Sequence, residues 1–134
     1  MFQYSTDLRN ALADRIESFI GASAVLKIKS GAAPANVAAS RTGTVLATIQ
    51  LPADWASNAV NGTLAKLGVW EDVSADAAGT AGHFELCASD ATTVHLQGSV
   101  TATGGGGDMT IDNTNIAAGQ KITVTNFDQT VGGA

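Results

Sequence analysis

The sequence has few charged residues and only one cysteine. Charged side chains occupy 14% of its 134 positions, against about 25% in an ordinary soluble domain. Cys87 has no second cysteine to pair with, which excludes an internal disulfide or a multi-cysteine zinc site. A lone thiol is compatible with assembly in a reducing cytoplasm. No apolar run approaches the roughly 20 residues of a membrane-spanning helix.

The N-terminal residues MFQYSTDLRN lack the basic start and apolar stretch of a signal peptide. We therefore expect a protein that stays soluble in the cytoplasm or leaves the cell by a route other than secretion. The charge balance is acidic, with a net charge of −5. The basic residues form no run that could neutralise a phosphate backbone, so we expect no nucleic-acid partner.

A charge-poor surface is weakly solvated, and such a surface is often covered by a partner or by further copies of the chain. The alternative is a soluble or secreted domain that is merely rich in alanine. The length fits one domain, residues 1–134, with one core.

One segment has the periodicity of a helix, at about 6–20. Ser5 or Thr6 can cap its first turn, Asp7 suits the positive end of the helix dipole, and Gly21 can end it. An apolar stripe recurs along this segment and must be covered, by the chain's own sheet or by a neighbouring subunit. It consists of Leu8, Leu12, Ile16, Phe19 and Ile20, with Ala11 beside them.

After Gly21 the period changes to two, as in strands, and turn-rich segments follow at short intervals over about 24–130. The pattern predicts roughly eight short strands and a mainly β fold, an antiparallel sandwich of the jelly-roll kind with one N-terminal helix. Residues 53–62 read as a loop that contains a buried Trp55.

A predicted hairpin over 83–102 brings together the side chains best suited to binding a metal ion. With its turn near Asp90, Glu85 would lie opposite His95, while His83 and Cys87 would share that face. Two histidines, a thiol and a carboxylate can hold a metal ion. The alternative is a solvent-facing pair of Glu85 and His95 with no metal.

Three other features carry less chemistry. The glycines at 104–107 lack the following helix, Lys and Ser/Thr of a phosphate-binding loop, which indicates a mobile loop tip. The aspartates lie near turns without the spacing of a calcium loop. Trp55 and Trp70 could stack on a sugar, although core or interface anchoring is the more common role of such residues.

Several segments together resemble a family of small Ala/Thr/Gly-rich structural proteins of tailed bacteriophages and prophages. The segments are LKIKSGAAPA, GTVLATIQLP, SADAAGTAGHFEL, TTVHLQGSV and IAAGQKITVTNF. The resemblance implies a virion component assembled in the host cytoplasm, either a capsid decoration or cement protein or a small tail protein. These are folding motifs, so no catalytic residue is implied.

We therefore expect a non-enzymatic protein without cofactor or metal, which forms homo-oligomers and binds other virion proteins such as the major capsid or tail proteins. A receptor- or glycan-binding tail module and a small metal-dependent enzyme using His83 and His95 are the alternatives. The residues expected at the interface are Leu8, Leu12, Ile16, Phe19, Trp55, Trp70 and Phe127.

Overall fold

One helix and nine strands make up the regular structure in the computed structural model, which describes residues 1–134. The helix, α1, spans Thr6–Ile20. The strands are β1 (Val25–Ser30), β2 (Val45–Gln50), β3 (Thr63–Ala65), β4 (Glu71–Asp72), β5 (Gly79–Cys87), β6 (Val94–Ala102), β7 (Met109–Ile111), β8 (Asn115–Ile116) and β9 (Ile122–Thr130). The mainly β prediction with one N-terminal helix is confirmed.

Both ends of α1 follow from local chemistry. Ser5 is the N-cap, and its hydroxyl accepts a hydrogen bond from the Leu8 amide at 3.2 Å. Gly21 ends the helix with φ of 99°, a conformation that favours glycine, and its amide donates to the Glu17 carbonyl at 2.9 Å. The predicted helix and its caps are confirmed.

The strands form one curled mixed sheet with the shape of a half-barrel. Its order is β2-β1-β5-β6-β7-β9-β3, with β4 paired to β9 and β8 paired to β5. β6 and β7 run parallel, whereas every other pair is antiparallel. The wholly antiparallel arrangement expected from the sequence is therefore wrong at this pair. The glycine-rich connection at 103–108 carries the chain back over β6 instead of making a simple hairpin.

The hairpin of β5 and β6 has a different register from the predicted one. Glu85 lies opposite Gln97 instead of His95, and His83 lies opposite Ser99. The cause is a six-residue loop, 88–93, in which the Asp90 carboxylate accepts hydrogen bonds from the Thr92 and Thr93 amides, together with a bulge after Leu86. Hydrophobic alternation does not report such a loop, because it fixes the face but not the shift along the strand.

A chain of aromatic rings runs through the core. Trp55 lies 6.1 Å from Trp70, Trp70 lies 5.4 Å from Phe127, and Phe127 lies 5.7 Å from Phe84, measured between ring centroids. The two tryptophans are completely buried, so the prediction of a buried Trp55 in the loop at 53–62 is confirmed. These rings connect β5 and β9 with the loops before β3 and β4 inside the core.

Candidate interaction surface

The helix α1 is attached to the loop at 56–62 through polar side chains. Asn10, Asp14 and Glu17 each accept a hydrogen bond from a backbone amide of that loop. The donors are the amides of Gly62, Ala59 and Ala56, and each bond measures 2.7 Å. The three side chains are three and four residues apart, so they lie along one side of the helix. We call them the polar ladder.

Small or amphipathic groups complete the attachment. Ala13 is fully buried and Ile20 nearly so. The Arg9 side chain is buried as well, and its Nε donates to the Val131 carbonyl at 2.9 Å. Beyond the helix, Trp55 Nε1 donates to the Gly21 carbonyl at 3.0 Å. The helix is therefore held by a polar ladder and a narrow strip of contacts.

The apolar stripe of α1 faces outward except at Ile20, which is buried. Leu8, Leu12 and Phe19 are 46%, 42% and 61% exposed, while Ile16 is half-buried at the edge of the stripe. At about 100° per residue, the centre of this stripe is roughly a quarter turn away from the side that carries Arg9, Ala13 and Ile20. The rest of the fold covers the side of α1 that carries small and polar residues, and it leaves the larger apolar residues of α1 in solvent. Continuous exposed apolar surface of this kind marks interaction sites.

A groove of about 280 Å³ runs between the C-terminal half of the stripe and the start of β6. Its floor and walls come from Leu12, Ile16, Phe19, Ile20 and Leu96, with Arg15 and His95 at its margin. The His95 ring meets the Phe19 ring edge to face, with centroids 5.1 Å apart, and the Arg15 guanidinium lies 5.8 Å from the centre of the same ring. We call this stripe and groove together the α1 face.

The three other residues expected at an interface lie elsewhere. Trp55 and Trp70 have no exposed surface, and Phe127 is almost as deeply buried. The indole N–H of Trp55 donates to the Gly21 carbonyl, and that of Trp70 donates to the Leu67 carbonyl. In this fold neither tryptophan can stack on a sugar, so the structure gives the glycan-binding alternative no support at these positions.

The four residues considered as possible metal ligands do not lie together in the structure. His83, Glu85 and Cys87 alternate on one face of β5 and are buried, which corrects the expectation that they face solvent. His95 packs against α1 instead. No cluster of three or more His, Cys, Asp or Glu side chains has the arrangement of a metal site.

The residues 31–44 form a strap that covers His83 and Glu85. The strap is organised around Arg41, whose guanidinium donates to the carbonyls of Asn36, Val37 and Ala39 at 2.8–3.2 Å. Because five donors in a rigid fork can bind several carbonyls at once, one arginine fixes the path of this loop without regular secondary structure.

Beneath the strap lies a buried ionic cluster. Lys29 Nζ and Arg41 Nη1 lie 3.0 Å and 3.5 Å from Glu85 Oε1. Arg41 Nη1 also donates to Gln97 Oε1 at 3.1 Å. His83 Nδ1 donates to the Gly31 carbonyl at 2.8 Å, while its Nε2 is buried without a partner. Glu85 is held between two cations and shielded from solvent, so it fixes the strap to the sheet.

Burial and local hydrogen bonds shift three pKa values. Desolvation raises the pKa of Glu17 above 4.5, and the nearby carboxylate of Asp54 adds to the shift. Desolvation also raises the pKa of the Cys87 thiol, which makes it a poor nucleophile. Hydrogen bonds from the Thr93 side chain and the amides of Thr92 and Thr93 lower the pKa of Asp90. The first shift belongs to the polar ladder, and none creates a reactive group.

Sequence reasoning missed the polar ladder and the strap. The spacing of Asn10, Asp14 and Glu17 on a helix was available as a signal, because side chains at these intervals share one side. Arg41 gave no comparable signal, since its partners are backbone carbonyls of its own loop and side chains 44 and 56 residues away, Glu85 and Gln97.

Comparisons of the chain with models of protein families, with curated proteins and with solved structures find no match. The helix α1 lacks the length and apolarity that crossing a membrane requires.

Proposed function

We propose that the chain is a structural subunit of a bacteriophage virion, a capsid decoration or cement protein that acts by protein–protein contact and not by catalysis. The observation that carries this proposal is the α1 face: three large apolar side chains, Leu8, Leu12 and Phe19, stay 42–61% exposed beside an open groove. A protein that acts as a monomer without a partner would be more stable with these side chains in its core.

The attachment of α1 supports this interpretation. The polar ladder and the small residues fix the rotation of the helix, so the apolar stripe cannot turn inward without the loss of three hydrogen bonds to Gly62, Ala59 and Ala56. Burial of one large apolar side chain contributes about 1.5–3 kcal/mol. Because Leu8, Leu12 and Phe19 are about half exposed, roughly half of that gain per side chain remains available to an assembly.

The phage assignment itself depends on the resemblance of several segments to virion proteins. That the curled sheet packs as a jelly-roll-like sandwich is part of the same proposal, and the strand packing seen at high resolution in an assembled particle tests it. The same surface could serve a small tail protein. Localisation of the subunit on the head or the tail in images of the particle separates these two sites.

Incorporation into particles tests the function. We expect Leu12→Glu and Phe19→Glu each to lower the number of copies per particle at least about tenfold, because either would place a charge in a desolvated contact. The matched control is Val73→Glu, since Val73 is an apolar residue with 72% exposure outside α1. Deletion of 1–20 is a poorer test, because it also removes Ala13 and Ile20 from the core.

Three outcomes would overturn the proposal. The first is normal incorporation of both α1 variants. The second is equal loss for the Val73 control. The third is absence of the wild-type protein from particles of the phage or prophage that encodes it.

A further inference from the structure

We infer that the Asn61–Gly62 peptide is a deamidation site that the polar ladder holds closed, so that the reaction proceeds only when this part of α1 detaches from the loop. The inference goes beyond the proposed function and does not depend on it. It follows from the position of one reactive sequence in the loop that the ladder binds. Asn61 is the only asparagine in the chain that is followed by glycine.

The reaction converts the side-chain amide of Asn61 into a carboxylate. The backbone nitrogen of Gly62 loses its proton and attacks Asn61 Cγ. The new N–C bond closes a cyclic succinimide, while the bond from Cγ to the side-chain nitrogen breaks and ammonia leaves. Water then opens the ring at either carbonyl and gives aspartate or isoaspartate. Glycine favours the attack because it has no Cβ beside the nitrogen.

The attacking nitrogen is protected, although the group that it attacks is not. Asn61 is exposed, whereas Gly62 is buried. The Gly62 N–H donates to Asn10 Oδ1 at 2.7 Å. The Arg9 guanidinium lies against the same glycine, where an added Cβ would come within 2.7–2.9 Å of its atoms. Because solvent removes the proton of a buried, hydrogen-bonded amide only after that bond opens, the folded loop suppresses the first step.

The turn also holds the reacting atoms apart. Val60 and Thr63 donate to each other's carbonyls at 3.0 and 2.9 Å. Between them, Asn61 and Gly62 have φ of 53° and 77°, as in a two-residue type I′ hairpin turn. Since this turn mirrors type I, ψ at its first central residue is about +30°. At that ψ the Gly62 nitrogen lies on the far side of the Cα–C bond from Asn61 Cβ, so the turn must open before the ring can close.

The product would weaken the attachment of α1. Isoaspartate adds an atom to the backbone of a two-residue turn, which disturbs the paired bonds of Val60 and Thr63. Either product adds a negative charge to a loop that already faces the Asp14 and Glu17 carboxylates. Because ammonia has left, refolding does not reverse the change. Detachment of the helix would therefore leave a permanent covalent mark in the loop.

Peptide mapping by mass spectrometry, after incubation of the purified protein at mildly alkaline pH, measures conversion at Asn61. Folded wild-type protein should convert at least about tenfold more slowly than the same protein unfolded in urea, because local opening is rare. Asn10→Ala removes the acceptor of the Gly62 amide and should speed conversion about two- to tenfold, the effect of one hydrogen bond on an opening equilibrium. Asn10→Asp keeps an oxygen acceptor and should be no faster than wild type.

Gly43→Ala is the control for a general loss of stability, since it crowds the strap and leaves the ladder bonds in place. It should leave conversion at Asn61 unchanged, because the reaction depends on local opening. The inference would be overturned by folded wild type that converts as fast as the unfolded chain, by Asn10→Ala that is no faster, or by equal acceleration in Gly43→Ala. If circular dichroism shows Asn10→Ala to be unfolded, hydrogen exchange of the Gly62 amide in wild type takes over the test. That amide should exchange at least about tenfold more slowly than in the unfolded chain, and equal exchange would overturn the inference.

Discussion

Removal of the Glu85 carboxylate alone should be among the most damaging single changes in this protein. The side chains of Lys29 and Glu85 are 6% and 3% exposed, and Glu85 is the only hydrogen-bond partner of the Lys29 ammonium. Glu85→Leu therefore leaves a buried ammonium without an acceptor. A change of this kind costs about 3–5 kcal/mol.

The combined variant Lys29→Met/Glu85→Leu should be far milder. It removes both buried charges, and such replacements by apolar groups are often neutral. Arg41 keeps its bonds to the strap carbonyls and to Gln97. We expect the double variant to lie within about 1 kcal/mol of wild type, so the coupling free energy between the two sites is at least about 2–4 kcal/mol, to which any cost of Lys29→Met alone adds.

Urea denaturation monitored by tryptophan fluorescence measures these differences, because Trp55 and Trp70 are buried in the core. With a slope of about 1.5 kcal/mol per molar urea, a loss of 3–5 kcal/mol moves the midpoint by roughly 2–3 M. If Glu85→Leu costs less than about 1 kcal/mol, the Lys29 ammonium is solvated and the strap does not seal the cluster. A double variant that costs the sum of the two singles would show that the charges do not interact.

Two further predictions concern the polar ladder and the strap. Because the folded-state pKa of Glu17 is raised above 4.5, wild-type stability should fall as pH rises through that raised pKa. Glu17→Gln keeps an acceptor for the Ala56 amide, so its stability relative to wild type should increase between about pH 4 and 7 in urea titrations. A variant whose relative stability decreases over this range would contradict the desolvation argument. A Cβ on Gly43 would lie 2.2 Å from the Ser30 carbonyl oxygen, whereas one on Gly106 would meet nothing within 4 Å, at similar φ of 78° and 82°. Gly43→Ala should therefore destabilise the protein by about 1–3 kcal/mol more than Gly106→Ala and speed amide exchange in the strap. Equal effects of the two substitutions would show that the strap can shift to accommodate the Cβ without loss of stability.

Much of the local structure could be predicted from the sequence, because it depends on neighbouring residues. The helix at 6–20 follows from its caps and its periodicity, and the capping residues Ser5 and Gly21 correctly predict its two ends. The strands at 25–30, 45–50 and 94–102 follow from apolar alternation. The two-residue strands β4 and β8 are too short to carry a periodic signal.

The side of α1 that the fold covers could not be predicted in the same way. Hydrophobic periodicity predicts that the stripe with Leu8 and Leu12 is covered, whereas within the chain the covered side carries Arg9, Ala13 and the polar ladder. The acceptors of the ladder are matched to amides 39–52 residues away. Such long-range pairing depends on tertiary structure that no local pattern encodes.

The expected solvent exposure of His83 and Glu85 was wrong for a related reason. The alternation on β5 correctly places His83 and Glu85 on one face, but the polar character of that face predicted that it is exposed to solvent. The strap covers it, because Arg41 reaches across to Glu85 and Gln97. A loop that folds on one arginine has no sequence periodicity, so burial of these polar residues became visible only in the structure.

The protection of a thiol placed at Leu12 measures most directly whether the α1 face is covered when the protein works. In Leu12→Cys the only other thiol, that of Cys87, is buried, so maleimide labelling reports the new residue. We predict rapid labelling of the dilute purified protein and at least about tenfold slower labelling of the same protein in assembled particles. Equal labelling rates in the two states would contradict the claim that this protein acts through the α1 face.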